Sequence, residues 1–174
     1  MNVTVGTFCL GLALAAGGCA GENGERTYEG DDYSFTYPSD WEERDGSSFT
    51  ESERDVVVGP PDGEFELMAV LFAGNRSNVT VDNVDEAITD LASDLAADDI
   101  EVVEGPTRME IGGLPAAQAH MRGTHDRGVE ITSRQTYVYQ GTTWWLLVCN
   151  ARPAQFEEVS RGCDEVEDSL RFDD

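Results

Sequence analysis

Hydrophobic and polar residues alternate over several short stretches of this chain. Tyr33 to Tyr37 alternates apolar with small polar side chains, which predicts a strand with one covered face that ends at Pro38. The segments 64–73 and 143–150 carry apolar residues at both parities, so we predict two strands that are buried on both faces. A sheet that contains such strands needs cover on both sides.

Two stretches have the helical spacing of apolar residues that can supply this cover. In 83–97 apolar side chains recur every three or four residues after Asp82, which suits an N-cap. In 153–170 the same spacing follows Pro153, which suits a first helical turn. We therefore predict an α+β fold in which an antiparallel β-sheet is covered by helices on both faces, an α/β/α sandwich.

The region between the two predicted helices reads as antiparallel strands, at 106–111, 115–124 and 128–140. Pairing Met121 with Ile131 on the core face also places Arg122 opposite Glu130 on the solvent face. This register predicts a hairpin that turns at His125-Asp126-Arg127.

The first eighteen residues carry no charged side chain and lead through small residues to Cys19. Such a segment is too short to span a bilayer comfortably, and small residues before a cysteine are what a lipoprotein signal peptidase requires. We predict a lipoprotein signal peptide over 1–18, lipidation at Cys19, a polar tether over 19–27 and one domain over 28–174. Ordinary secretion with cleavage after Ala15 is the alternative, and it leaves Cys19 as a mature N-terminal thiol.

The formal net charge is −24, and apart from two histidines every basic residue is an arginine. A surface this acidic repels phosphate backbones and anionic headgroups, which argues against nucleic-acid partners and against peripheral lipid binding. We therefore expect covalent attachment to the cell membrane, through lipid at Cys19, on the extracytoplasmic face. The composition suits a halophilic archaeon, and GC-rich coding in a bacterium favours the same residues.

Two of the four cysteines are free to pair with each other. Cys9 lies in the predicted signal peptide and Cys19 is the lipidation residue, which leaves Cys149 and Cys163. Outside the cytoplasm an even pair indicates a disulfide, here one that pins a strand to the helix after it. The pair has no histidine between its members and no C-x-x-C spacing, which disfavours a metal or redox site.

Motifs for catalysis are absent from the sequence, with no G-x-S-x-G elbow, glycine-rich phosphate loop or EF-hand. His120 and His125 are five residues apart, so on one regular strand they face opposite ways and cannot share a metal. A single-histidine metal contact beside Asp126 stays open. We expect no enzymatic activity, no metal and no cofactor. Asn75 and Asn78 begin glycosylation sequons that matter only in a host that glycosylates surface proteins.

One polar strand face stands out in a chain this acidic. Gln118, His120 and Arg122 share a parity and are predicted to adjoin Arg134 on the neighbouring strand. Clustered arginines can receive a partner's carboxylate or a small anion, or they can pair with nearby acidic residues on an exposed face. Together with exposed loops around Trp41, these residues form the candidate binding surface.

Three segments carry a resemblance to a known family: YSFTYPSDW at 33–41, GGLPAAQA at 112–119, and a closing strand followed by a helix that ends in SLRF. They resemble PsbP-like domains of the bacterial and archaeal envelope lipoprotein type, over 28–172. The resemblance implies an α/β/α sandwich that is mostly non-catalytic and serves as an accessory or assembly subunit on a membrane complex. It supplies no catalytic residues, and nothing in the sequence indicates a photosynthetic partner.

Two classes of function follow from these observations. The first is a non-enzymatic, lipid-anchored binding or assembly module for an unknown envelope protein, which predicts an exposed apolar patch and no cleft of converging titratable groups. The alternative is an extracytoplasmic enzyme or small-solute binder. It predicts a deep pocket that joins distant residues such as His120, Asp126 and a serine.

Overall fold

Ten antiparallel strands and one helix make up the described part of the chain, which in this computed structural model comprises residues 24–44, 52, 54–75, 83, 101–125 and 127–173. The strands are β1 Glu25–Glu29, β2 Tyr33–Pro38, β3 Glu42–Arg44, β4 Val56–Gly59, β5 Leu67–Asn75, β6 Glu101–Ile111, β7 Leu114–Thr124, β8 Glu130–Gln140, β9 Thr143–Ala151 and β10 Arg171–Phe172; helix α1 is Phe156–Ser169. No helix in these residues has the length and hydropathy needed to cross a membrane.

The strands divide into a large and a small sheet. The large sheet has seven strands in the order β3-β4-β5-β9-β8-β7-β6, and the small sheet has the order β1-β2-β10. The two strands with apolar residues at both parities, β5 and β9, are neighbours inside the large sheet. Successive β5 residues Met68, Ala69 and Val70 are all buried, because consecutive side chains enter opposite faces of the sheet and both faces are covered.

One face of the large sheet carries Met68, Val70, Trp145 and Leu147, and we call it the helix face. Helix α1 and the small sheet cover it together in one hydrophobic cluster. The alternation in β2 directs its three aromatic side chains into this cluster, and the ring of Tyr33 meets that of Trp145 edge-on at 5.0 Å. The face with Leu67, Ala69, Leu146 and Val148 is called the opposite face.

The predicted α+β fold, an α/β/α sandwich with helices on both faces of one sheet, is wrong. The described residues form a mostly β structure of two antiparallel sheets with one helix. Alternation in β2 identifies a strand with one covered face, but it does not identify the sheet that the strand joins. β2 pairs with β1 and β10 and shares the cover of the helix face with α1. The helix predicted at 83–97 lies outside the described residues.

The predicted register between β7 and β8 is displaced by two residues. Met121 pairs with Ser133 rather than Ile131, and Arg122 pairs with Thr132 rather than Glu130. The reason is the connection, which occupies residues 125–129 and is closed by a hydrogen bond from the His125 amide to the Val129 carbonyl at 2.8 Å. A displacement of two residues leaves unchanged which side chains share a face, but the face predicted to be exposed to solvent is the helix face, and the face predicted to be the core face is the opposite face.

Several predicted boundaries also differ from the structure. β1 begins at Glu25, so residues 25–27, assigned to the tether, pair with β2. Pro153 lies in a turn before α1, which begins at Phe156. Residues 1–23, with the predicted signal peptide and Cys19, lie outside the described part.

Trp41 is a core residue and not part of an exposed loop. Its side chain is 5 % exposed, and the indole lies so close to Gly162 of α1 that a Cβ built there overlaps the ring. The absence of a side chain at Gly162 therefore lets α1 approach the indole. This removes Trp41 from the candidate binding surface.

Replacing Gly162 with Ala is expected to lower the free energy of unfolding by about 1–3 kcal/mol, because the new methyl group overpacks the Trp41 contact. The loss outweighs the helix propensity gained, about 1 kcal/mol. Urea unfolding measures it, with Glu158→Ala on the exposed side of the same helix as the control, expected to stay within about 0.5 kcal/mol of wild type. Equal stability of the two variants would show that the contact is not tight.

Candidate functional site

The predicted polar face is present, but it is covered by α1. Strand pairing places Gln118 beside Thr136 and His120 beside Arg134 on the helix face. Arg134 is only 8 % exposed. The sequence indicates which residues share a face, whereas burial of that face depends on the path of α1 across it.

A polar cluster joins β7 and β8 to α1 through the buried Arg134, Thr136 and Glu167, the partly buried Gln118 and the exposed Asp164. Arg134 Nη1 lies 2.6 Å from Asp164 Oδ1, and Nη2 lies 3.1 Å from Glu167 Oε2 without an aligned hydrogen bond. The Thr136 hydroxyl donates to Glu167 Oε1 at 3.1 Å, and Gln118 Nε2 donates to Thr136 Oγ1 at 2.9 Å. The carboxylates that pair with Arg134 therefore belong to Asp164 and Glu167 of α1.

Burial sets the protonation behaviour of this cluster. It raises the pKa of Glu167, and the Arg134 guanidinium and the Thr136 hydrogen bond offset that rise only in part. Glu167 is 6 % exposed, so its charge depends on Arg134 rather than on water for compensation.

The other predicted site residues lie elsewhere. Arg122, at the end of β7, is half exposed and has its Nε 4.0 Å from Glu130 Oε1. The His120 ring lies 6.4 Å from that of Phe156, and the His125 ring contacts that of Phe65 edge-on at 5.0 Å. Over the residues that the structure describes, no group of three or more His, Cys, Asp or Glu side chains is placed to hold a metal ion.

The predicted disulfide between Cys149 and Cys163 is confirmed. It joins β9 to α1 with both cysteines fully buried. Together with the polar cluster, it fixes α1 on the helix face.

The opposite face of the large sheet carries a cavity of about 970 Å³. The cavity lies where β5 and β8 begin and where β7 and β9 end. Its floor is one row of side chains across four paired strands, in the order Met121 of β7, Ser133 of β8, Asn150 of β9 and Leu67 of β5. Directly paired residues point to the same face of a sheet, so these four side chains form a continuous surface.

The rim of the cavity is charged, and most of its charges are already paired. Arg127 pairs with Glu64, and Arg122 pairs with Glu130. Glu101, opposite Arg122 in the strand pairing, adds one further carboxylate. Arg152 also lies near Glu64, with its Nη2 3.8 Å from Oε2, so the charges around the rim largely compensate one another.

Two polar atoms in the floor lack a hydrogen-bond partner within the described structure. They are Ser133 Oγ and Asn150 Oδ1, which are both buried and belong to directly paired residues. A buried polar atom without a partner costs free energy, so such atoms are rare in native proteins and call for a water, ion or ligand. Each of the two atoms has less than 1 Å² of accessible surface, so both lie beneath the surface of the cavity, although other atoms of Ser133 and Asn150 line it.

Reasoning from the sequence misses this floor. It gives neither Ser133 nor Asn150 a role. The available signal is that Asn150 has the parity of Leu146 and Val148, and that Ser133 has the parity of Tyr137. This parity assigns both polar residues to the face with the apolar side chains of β9.

Comparison with known proteins gives matches of structure but not of sequence. No family model and no curated protein matches the chain. The cyanobacterial PsbP protein CyanoP from Synechocystis superposes with a TM-score of 0.61 at 16 % identity, covering 92 % of this chain and 99 % of that one. The fold is PsbP-like.

A second structural match comes from a mycobacterial protein. LpqN, described as involved in cell envelope biogenesis of Mycobacterium tuberculosis, has a TM-score of 0.58 at 13 % identity and covers 82 % of this chain and 83 % of its own. At these identities the likeness is one of fold alone. The resemblance predicted from the three sequence segments is confirmed, although the two-sided helical cover that it implied is not.

Proposed function

We propose that this chain is a lipid-anchored, extracytoplasmic binding protein of the cell envelope, and that its ligand occupies the cavity on the opposite face. The observation that carries the proposal is the cavity of about 970 Å³ on the opposite face, which residues of β5, β7, β8 and β9 line. The location is supported by the small residues that lead to Cys19, by the Cys149–Cys163 disulfide and by the fold shared with LpqN.

A ligand in the cavity is better supported than an envelope protein docked on an apolar surface. A docking surface needs a contiguous exposed apolar patch, yet Val103 is the one large apolar side chain that is exposed among the described residues. The cavity, by contrast, has the size of a site for a small molecule. The presence of a cavity, and the lack of an exposed apolar patch among the described residues, therefore favour a small-solute binder over a module that docks on an envelope protein.

Binding is also better supported than catalysis. His125 and Ser133 both line the cavity, but Ser133 Oγ has no hydrogen-bond partner, and a serine nucleophile needs an adjacent base. His125 Nδ1 instead accepts a hydrogen bond from the Arg127 amide at 3.3 Å. We propose that the cavity retains its ligand without chemical change.

The anchor is tested by Cys19→Ala, which is expected to move the protein from the membrane fraction to the soluble extracytoplasmic fraction. The net charge of −24 gives the unlipidated chain no attraction to anionic headgroups. Cell fractionation and detergent-phase partitioning measure the change. Cys9→Ala, within the predicted signal peptide, is the matched control and should leave the protein in the membrane. A Cys19→Ala protein that stays in the membrane would contradict the anchor.

Binding is tested by native mass spectrometry of the protein released from its own envelope in mild detergent. We expect a small molecule bound in a 1:1 complex. A second polypeptide in fixed stoichiometry would instead support an assembly subunit that docks on an envelope protein. A bare protein would count against both forms of the proposal.

A further inference from the structure

We infer that the lipid anchor holds the cavity end of the domain towards the membrane, and that the cavity takes its ligand, a lipid headgroup, from the membrane surface. The cavity end is the end of the large sheet where β5 and β8 begin and where β7 and β9 end. The other end, with the turn at Gly141 and Thr142, is called the far end. This inference rests on the proposed function and adds to it the orientation of the domain and the source of the ligand.

The segment between the anchor and the folded domain is short. Strand β1 pairs with β2 from its first residue, Glu25, so only residues 20–23 separate Cys19 from Gly24. A chain of this length spans at most about 18 Å when fully extended, and about 12 Å on average when flexible. Gly24 therefore lies within about 18 Å of the membrane surface when Cys19 carries lipid.

Gly24 lies at the cavity end. Its carbonyl accepts a hydrogen bond from the Ser39 amide at 2.8 Å, and Ser39 leads through Trp41 into β3. Glu42, the first residue of β3, pairs with Gly59, the last residue of β4, and the end of β4 pairs with the start of β5. The chain therefore enters the domain beside the strand ends that border the cavity.

Helix α1 gives the same position by a separate route. The Trp41 indole packs against Gly162, and the Sγ of Cys163, the next residue of the helix, lies 4.0 Å from the Leu67 carbonyl oxygen at the start of β5. Leu67 also lines the cavity, on the opposite face of the sheet. The entry of the chain and the cavity are thus at the same end of the domain, on either side of the large sheet.

The far end is too distant to face the membrane. Strand β9 runs from Thr143 at the far end to Asn150 at the cavity end, a length of about 24 Å at about 3.4 Å per residue. This length exceeds the reach of the segment before Gly24, which is about 18 Å. An orientation with the far end on the membrane would therefore require a longer segment than the chain has.

The distribution of charge also favours the cavity end. Helix α1 exposes four carboxylates and one guanidinium, those of Glu157, Glu158, Asp164, Asp168 and Arg161. An anionic headgroup layer repels such a surface. The rim of the cavity, by contrast, pairs its guanidinium groups with carboxylates, so headgroups meet a largely compensated surface there.

The charged groups of the rim are accessible to a headgroup. The side chains of Arg122, Arg127, Glu64 and Glu130 are each about half exposed or more. The polar headgroup is the part of a lipid that projects from the bilayer, and guanidinium and carboxylate groups supply donors and acceptors for its hydrogen bonds. A cavity of about 970 Å³ has room for a group of this size.

Energy transfer to headgroup-labelled lipids tests the orientation. Lipidated protein is reconstituted in vesicles of phosphatidylcholine and phosphatidylglycerol, with a fluorophore on Asp62→Cys in the exposed loop at the cavity end or on Thr142→Cys in the far-end turn. Each variant adds one free thiol, because Cys19 is lipidated and Cys149 and Cys163 are bonded. We expect the label at 62 to lie about 20 Å closer to the headgroups. Equal distances, or a closer label at 142, would overturn the inference.

A longer tether is the matched control for the orientation. Insertion of about twenty Gly and Ser residues before Gly24 raises the average span of the segment to about 25–30 Å, which exceeds the length of β9. This variant should stay in the membrane and show little difference between the two labels. A difference of unchanged size would contradict the role of the tether.

The source of the ligand is tested by native mass spectrometry of wild type and Cys19→Ala, purified in the same mild detergent. We expect wild type to carry a molecule with the mass of a lipid from the same envelope. The fraction of Cys19→Ala that carries it should be lower by about tenfold or more, because only the anchored protein meets headgroups at high effective concentration. Equal fractions would overturn the inference.

The outcomes separate this inference from the proposed function. If wild type carries a molecule that is absent from the lipid extract of its envelope, the source is wrong and the proposed function stands. If the label at 62 is not the closer one while wild type carries a small molecule, the orientation is wrong and the proposed function stands. If wild type is bare, both fail.

Discussion

Replacing Arg134 with Met is expected to lower the free energy of unfolding by about 3–5 kcal/mol at neutral pH, because it leaves the buried carboxylate of Glu167 without its counter-charge. The side chains of Arg134 and Glu167 are 9 % and 6 % exposed and lie 3.1 Å apart. Water therefore cannot take over the role of the guanidinium. Urea unfolding of the purified variant measures the loss.

A double variant and a surface pair show whether the cause is the buried charge. Arg134→Met/Glu167→Met should recover most of the stability, since replacement of both partners by apolar residues removes the charge as well as the pair. Arg122→Met removes the exposed contact between Arg122 Nε and Glu130 Oε1, which lie 4.0 Å apart. It should lower the free energy of unfolding by at most about 1 kcal/mol. Equal losses in Arg134→Met and Arg122→Met would refute the buried pair.

The loss in Arg134→Met should also depend on pH. Burial raises the pKa of Glu167 in the folded protein, so the folded state binds a proton more readily than the unfolded state. The stability linked to this proton is present at acid pH and is lost as pH rises through the folded pKa. Removal of Arg134 raises that pKa further. The deficit relative to wild type should therefore shrink as the pH is lowered from neutral, and a constant deficit would contradict this assignment.

Removal of the disulfide by Cys149→Ala/Cys163→Ala is the second large effect, with an expected loss of about 3 kcal/mol. The bond closes a loop with a sequence separation of 14, and a loop of that size constrains the unfolded chain by about this amount in the chain-entropy model. For a domain of this size the loss corresponds to a fall of about 6–12 °C in Tm. Thermal unfolding followed by circular dichroism measures it.

Wild-type protein with and without reductant is the matching comparison for the cysteine variant. Reduced wild type should unfold near the temperature of the double variant. Because both cysteines are fully buried, thiols are titrated in unreduced protein unfolded in urea, where neither Cys149 nor Cys163 should react. Reaction of both thiols in that protein would show that the bond does not form in the cell.

The central strands of this fold can be predicted because their sequences indicate burial of both faces. Apolar residues at both parities of β5 and β9 are compatible only with strands covered on both faces. The Cys149–Cys163 bond is predictable as well, because the roles predicted for Cys9 and Cys19 leave a single pair, and an even pair outside the cytoplasm indicates a disulfide. These are local features, readable without knowledge of the topology.

Features that depend on contacts between distant segments are not readable in that way. The alternation in β2 is compatible with a strand in either sheet. The pattern therefore predicts one sheet covered by helices on both faces, whereas β2 belongs to a second, small sheet. The shift between β7 and β8 arises because the loop at 125–129 is two residues longer than the predicted turn. The sequence pattern alone predicts an exposed Arg134. Its burial becomes evident only when the path of α1 across the helix face is known.

The cavity floor is harder still to predict, because four strands contribute one residue each. Met121, Ser133, Asn150 and Leu67 become neighbours only when the registers of three strand pairs are known together. An error of two residues in one pair, such as the predicted pairing of Met121 with Ile131, separates Met121 from Ser133. The polar parity of Ser133 and Asn150 indicates an unusual face, but it does not bring the two residues together.

A crystal structure of the protein purified from its own envelope, without added ligand, tests the central claim most directly. We expect electron density for a bound small molecule in the cavity. A cavity that holds only water would contradict the claim that it is the binding site.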